Sequence, residues 1–253
     1  MDALTLCNLK GGAGKTTSAV CMAEEVATRD HPTLVIDWDP QATLSGWIAE
    51  RGPSALRLAN GDLSGVHRSA ARSEEGARVD VVAADRSLAE ANSSTGAALA
   101  RHLDSFLDAA ASGYELALVD VQPSVGPLVL GALMATGRAI VPVEAGVGAM
   151  QGRSHVSELM QKTGAGEIAA AFAARVDVRR TLDTKARPQI RNHLGALEEG
   201  GAGAQTQIRE AVAIPEAQAA GQWPALYAAG ANPLEDYAAL TDELESADVL
   251  TYE

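Results

Sequence analysis

The run Lys10–Thr17, KGGAGKTT, follows the apolar segment Ala3–Leu9 and leads into a stretch of helical composition. Glycines at Gly11, Gly12 and Gly14 let successive backbone N–H groups turn inward around an anion. Lys15 adds a point charge for terminal phosphates, and Thr16 has the hydroxyl that a Mg²⁺ ion takes. The N-terminus of the following helix contributes the positive end of its dipole. Lys10, Gly11, Gly12, Ala13, Gly14, Lys15, Thr16 and Thr17 therefore read as a nucleotide-phosphate site between a strand and a helix. The plain pattern G-x-x-x-x-G-K-S/T is not met, because Leu9 stands at its first glycine, whereas the variant G-G-x-G-K-S/T is met.

Outward from this loop, Thr16–Thr28 reads as a helix and Thr33–Asp37, TLVID, as a short buried strand ending in an acid. Such a strand-loop-helix-strand opening is a right-handed crossover, with ligands gathering at the carboxyl ends of the strands. Trp38–Trp47 reads as a polar loop, and residues 52–75 carry no clear pattern. Strands are expected at Arg78–Ala83, Glu115–Asp120, Ala139–Val143 and Ile168–Val176, and helices at Ser87–Asn92, Gly96–Ala111, Leu128–Ala135 and Met150–Lys162. A further helix is expected to end near Glu199 before a loop at Gly200–Gly203, and a last one spans Leu234–Ser246. Strands alternating with helices and no hairpin signal predict an α/β fold, a doubly wound, mostly parallel twisted sheet flanked by helices. One nucleotide-binding domain over residues 1–253 accommodates all of it.

Composition narrows the function. A net charge of −13 opposes indiscriminate nucleic-acid binding over the whole surface, so any DNA contact must be local. Cys7 and Cys21 are too few for a disulfide framework, no signal sequence precedes the first strand, and no apolar run reaches membrane-spanning length. A cytoplasmic protein without membrane contact is the expectation.

Phosphoryl transfer to water needs cradled phosphates, a metal ion and an oriented water. Three acids at strand ends are candidates for that work: Asp37 and Asp39 in VIDWDPQ, and Asp120 in ALVDVQPS. Asp120 is the expected metal acid, held to Mg²⁺ through water; Asp39, beginning a loop, is the expected orienter of the attacking water; Asp37 supports the metal shell. With Thr16 all three form the metal set; Asp39 and Asp120, without Asp37, join Lys10 and Lys15 in the catalytic set.

These residues carry a resemblance. The loop with its early Lys10, the stretch DWDPQATLS and the element Asp120-Val-Gln-Pro123 resemble the deviant Walker A ATPases of the ParA and MinD family. Leu9, the DPQ after the second strand and the absence of a basic amphipathic terminal helix are closer to ParA than to MinD, and no helix-turn-helix precedes the loop. Looser similarity extends through RVDVRRTLDTKAR, IREAVAIPEAQAAG and ANPLEDYAALTDEL. Relatives resembling nitrogenase iron protein need bridging-cluster cysteines, which Cys7 and Cys21 do not match. The resemblance implies ATP and Mg²⁺ as cofactors, a homodimer with ATP at its interface, and a Lys10 that reaches the partner's nucleotide. It also implies adenine contacts near Val176, Asp177, Ile214, Pro215 and Glu216, a ParB-like adaptor, and nucleoid association through nonspecific DNA binding in the ATP state.

Between Arg175 and Arg191, six basic residues face two acidic ones, a local charge of +4. Arg179, Arg180, Lys185, Arg187, Arg191 and the later Arg209 are the candidate DNA contacts, which would give salt-sensitive, sequence-independent binding. A solvated helix face is an equal reading of the same residues, and the arginine expected in the later segment is replaced by Ala213. The alternative function is an ATP-gated regulatory switch that recruits a protein partner with little turnover.

Overall fold

Apolar strands with both faces covered need helices on either side, and the chain supplies them in alternation. The computed structural model describes residues 1–49, 52, 54–65, 69–72, 78–145, 149–180 and 185–252. Within them the order is β1 (Asp2–Leu6), α1 (Lys15–Thr28), β2 (Thr33–Trp38), α2 (Thr43–Ile48), α3 (Ala55–Ala59), β3 (Ser69–Arg72), β4 (Arg78–Val82) and α4 (Gly96–Ala110). There follow β5 (Leu116–Val121), α5 (Pro127–Thr136), β6 (Arg138–Glu144), α6 (Ala149–Thr163), β7 (Glu167–Val176), α7 (Ala186–Leu194), β8 (Gly203–Arg209), α8 (Ala213–Ala220), α9 (Pro224–Tyr227) and α10 (Asn232–Ser246).

The described strands form one eight-stranded sheet in the order β3-β4-β2-β5-β1-β6-β7-β8. All neighbours are parallel except β3 against β4. From β1 the chain winds outward through β2 and returns to β5, then continues on the other side through β6. That reversal puts the crevice for a ligand at the carboxyl end of β1, where the glycine loop begins.

Strand parity sorts the side chains into two cores. Leu34, Ile36, Trp38, Ala117 and Val119 pack beneath α3, α4 and α5, whereas Val35, Leu116 and Leu118 pack beneath α1 and α10. Each fully buried leucine or valine contributes about 1.5–3 kcal/mol. Because Asp37 and Asp120 continue the second parity, both carboxyl groups emerge on the face that carries α1. They are also register partners on adjacent strands.

Several expectations are corrected. Trp38–Trp47 is not a polar loop: Trp38 ends β2 with its indole donating to the Leu128 carbonyl, and Leu44 and Trp47 are buried in α2. A hairpin-like pair does exist, β3 with β4, at the sheet edge. The α-helix before Glu199 stops at Leu194 and a separate 3-10 turn, Leu197–Glu199, ends where a helix end was expected, whereas Gly203, expected in a loop, opens β8. Only Ala204 and Ile208 are apolar within GAQTQIR, too few for the alternation that marks a half-buried strand. The first strand ends at Leu6 rather than Leu9, since Cys7–Leu9 already bend into the loop.

Candidate functional site

The loop's shape follows from its glycines. Gly12 at φ +77 and Gly14 at φ +92 occupy left-handed backbone that a side chain resists, and Gly14 is the N-cap of α1. Asn8 anchors the loop's entry, donating to the Pro142 carbonyl at 2.8 Å and accepting the Lys10 N–H at 2.9 Å. A cleft of about 440 Å³ opens beside it. Gly12 to Thr17, Asp39, Gln41, Thr43 and Pro123 line one part; Ala174, Arg175, Ile208, Arg209, Glu210, Ala211, Ile214, Pro215, Gln218, Pro233 and Tyr237 line the rest. The first part is polar and presents Lys15 and loop N–H groups, suited to phosphates, and within the second Ile208, Ile214, Pro215, Pro233 and Tyr237 offer an apolar shelf suited to a planar base.

Lys15, in the first turn of α1, is 6% exposed. Burial lowers its pKa, opposed by the charge of Asp120. Thr16 Oγ1 donates to Asp120 Oδ2 at 2.6 Å, joining the helix start to the tip of β5. Burial, and then the neighbouring Asp37 charge, push Asp120 up to about 8. Asp120 Oδ1 is buried and has no hydrogen-bond partner among the described residues. An orphaned carboxylate oxygen beside a threonine hydroxyl is a donor set for a hard divalent cation, which commonly takes one or two carboxylates and completes its shell with water and phosphate oxygens. The residues therefore fit Mg²⁺.

Asp37 sits differently. Its Oδ2 accepts from the Ser45 N–H at 2.9 Å and the Ser45 hydroxyl at 2.6 Å, and its Oδ1 accepts from the Asp39 N–H at 3.1 Å. Burial pushes Asp37 up to about 6, although those bonds pull it down. The Ser45 hydroxyl in turn accepts the Ala84 N–H at 2.8 Å. Asp37 thus ties α2 and the turn bearing Asp39 to the sheet, while Asp39 itself reaches the cleft.

Lys10 is half-exposed and pairs with Glu144 at the end of β6. Of the residues expected at the base, Ile214 and Pro215 line the cleft. Val176 is buried in the core at 1% exposure, Asp177 accepts from Arg179 at 2.8 Å, and Glu216 is exposed outside the lining residues. Ile208, Gln218, Pro233 and Tyr237 were missed; only Tyr237 carried a signal, as part of the helical stripe of the last helix.

Among the described residues, the basic side chains do not form one free patch. Arg179 and Arg180 both pair with Asp177, and Arg209 is held by Asp236 at 2.7 Å and Glu235 at 3.4 Å on α10. Arg191 donates to Gln205 at 2.7 Å, and Lys185 is exposed just before α7. Arg187 falls in α7 with its side chain outside the described set. Arg175 turns instead to the glycine loop, donating to the Gly12 carbonyl at 3.0 Å.

Residues 1–165 match the family model described as an AAA domain. The chromosome-partitioning ATPase Soj of Thermus thermophilus is 32% identical over 201 residues, 76% of each chain. The apo structure of Cyanothece McdA superposes with a TM-score of 0.77 at 19% identity, covering 96% of this chain and 99% of that one. The septum site-determining protein MinD of Pyrococcus horikoshii, solved with Mg-ADP, gives 0.74 at 18% identity over 96% and 97%. No described helix is long and apolar enough to cross a membrane.

Proposed function

Because the chain belongs to the ParA-type partition ATPases, we propose that it dimerises around ATP, binds DNA nonspecifically as that dimer, and hydrolyses ATP when a ParB-like adaptor stimulates it. It would segregate a plasmid or chromosomal region, or position a cargo, from the cytoplasm while resting on the nucleoid. Residues 1–253 act as one nucleotide-binding domain.

The observation that carries this reading is the meeting of Lys15, Thr16, Asp39 and Asp120 at one rim of the sheet, beside a glycine loop of left-handed turns. The loop's N–H groups and Lys15 hold the phosphates. Thr16 and Asp120 would hold Mg²⁺, which when bound would neutralise charge on the phosphate oxygens. Asp39 orients the attacking water and takes up its proton, and Asp37 keeps Asp39 in place through the turn it anchors. Lys10 leaves Glu144 and crosses to the partner's nucleotide. Lys10→Ala accordingly removes the dimer and stimulated hydrolysis while leaving monomeric nucleotide binding partly intact.

Light scattering with ADP, with ATP, and with ATP on Asp39→Ala tests the reading. The expected masses are monomer, a transient dimer, and a trapped dimer. A single mass in all three, with no heat on adding Mg·ATP in calorimetry, would overturn it.

A second reading is favoured by the internal pairing of Arg179, Arg180 and Arg209, which leaves fewer cations for phosphates. In it the ATP state recruits a protein partner, with little DNA binding or turnover. Retention on unrelated duplex DNA with ATP, lost at raised salt and in an Arg187→Glu, Arg191→Glu double variant, supports the first reading; no retention supports the second.

A further inference from the structure

Arg175 lies one residue before the end of β7, where an ordinary strand would point it with Ala171 and Ala173 into the core beneath the helices. It does not point there. Its φ is +56, a left-handed conformation that a long side chain adopts only under constraint from its surroundings. The β7–β8 register shifts between Ala173 and Val176, and Val176 rejoins the core that holds Ala171 and Ala173. Arg175 is thus the extra residue of a bulge, and the bulge turns its side chain out of the sheet toward the phosphate loop.

There the guanidinium spans three segments. Nη1 donates to the Gly12 carbonyl at 3.0 Å, Nη2 donates to Glu210 Oε1 at 2.9 Å, and Nη1 lies 3.8 Å from Glu144 Oε1. Exposed ion pairs of this kind add little stability and do not by themselves account for a strained backbone. The bond to Gly12 is different in kind. In a planar trans peptide the carbonyl and the next N–H point in opposite directions, so holding the Gly12 oxygen fixes where the Ala13 N–H points.

We propose that Arg175 is a positioning residue for nucleotide binding: by holding the Gly12 carbonyl, its guanidinium aims the Ala13 N–H at the nucleotide's phosphates. This rests on the reading of the loop as a nucleotide site. The assignment needs an arginine, because one fork satisfies Gly12 and Glu210 together, which a lysine's single ammonium on its flexible stem does not reproduce. Glu210 holds the fork from the far side, and Glu144 shares its charge between Arg175 and Lys10.

The test is a titration of wild type, R175Q, R175K and R175G with a fluorescent ADP analogue and Mg²⁺, beside thermal unfolding without nucleotide. Affinity is expected to fall about tenfold or more in all three variants. R175G, at ease with a positive φ, is expected to unfold within about 2 °C of wild type or above it. Hydrogen exchange without nucleotide is expected to quicken at residues 11–14 in R175Q and R175G.

Wild-type affinity in R175G and R175Q would overturn the assignment, as would full recovery in R175K, which would make charge alone responsible. A loss of affinity that merely tracked a loss of thermal stability, with no local change in exchange, would overturn it as well. Wild-type protein that took up no Mg·ADP would overturn the nucleotide reading and this assignment together, so the two failures are distinguishable.

Discussion

The Thr16 hydroxyl donates to Asp120 Oδ2 at 2.6 Å across 104 residues of chain. The first turn of α1 and the tip of β5 meet because β1 and β5 are parallel neighbours with Leu6 opposite Asp120. The loop after β1 must then pass over Asp120 before α1 can begin. A cation bound there would touch both residues.

Thr16→Val removes the hydroxyl and leaves the shape. Mg²⁺ normally strengthens nucleotide binding; in the variant, titrations with Mg²⁺ and with EDTA should give affinities within about threefold of each other, while wild type differs by about tenfold or more. A variant that kept the full metal dependence would remove Thr16 from the metal set.

Asp37 and Asp120 have folded-state pKa values of about 6 and about 8, raised above 3.8 mainly by burial. A raised carboxyl binds its proton more tightly when folded, so its stabilising effect is full below the unfolded value and is lost as pH rises through the folded one. In EDTA and without nucleotide, the thermal midpoint should therefore rise by a few degrees between pH 8.5 and pH 6.5. Asp120→Asn should flatten most of that rise and be more stable than wild type at pH 8.5, while losing hydrolysis. A flat wild-type profile would contradict the burial argument.

Ser18 and Tyr237 share a buried hydrogen bond of 2.9 Å between α1 and α10, beside the cleft. Tyr237→Phe leaves the serine hydroxyl without that partner, at a cost of about 1–2 kcal/mol in urea unfolding. Nucleotide affinity should fall by less than about threefold, since the ring that lines the cleft remains.

Gly131 lets α4 and α5 cross closely: a Cβ there would sit 2.7 Å from Leu99 Cβ and 3.2 Å from the Gly96 carbonyl. Gly131→Ala should destabilise, because overpacking costs about 1–3 kcal/mol against a helix-propensity gain of about 1 kcal/mol. A Cβ added to Gly46 in α2 would meet nothing within 4 Å, so Gly46→Ala should instead stabilise by about 0.5–1 kcal/mol. Denaturant midpoints of the two variants should move in opposite directions.

The turns of the glycine loop and the acids at the strand ends were legible because each is a local pattern. Glycine spacing encodes left-handed turns, and a short apolar run ending in aspartate encodes a strand tip. The use of Asp37 was not legible, since its partner Ser45 reaches it only through a helix that looked like a loop. Nor was β8, whose polar edge hides the alternation and which brings Ile208, and Glu210 just after it, to the cleft. The basic stretch was visible as charge, but not how Asp177, Asp236 and Gly12 divide it among themselves.

The amino-acid order by itself determined the doubly wound parallel sheet, the glycine loop after β1 and the rim on which Asp39 and Asp120 stand, because these follow from periodicity and turn chemistry within a few residues. Tertiary structure alone decided that Arg175 leaves the core for the Gly12 carbonyl, that Tyr237 meets Ser18, and that Lys10 rests on Glu144. The partners in those contacts are separated by more than a hundred residues, so each depends on strand order, a bulge or a helix crossing that no short stretch of sequence encodes.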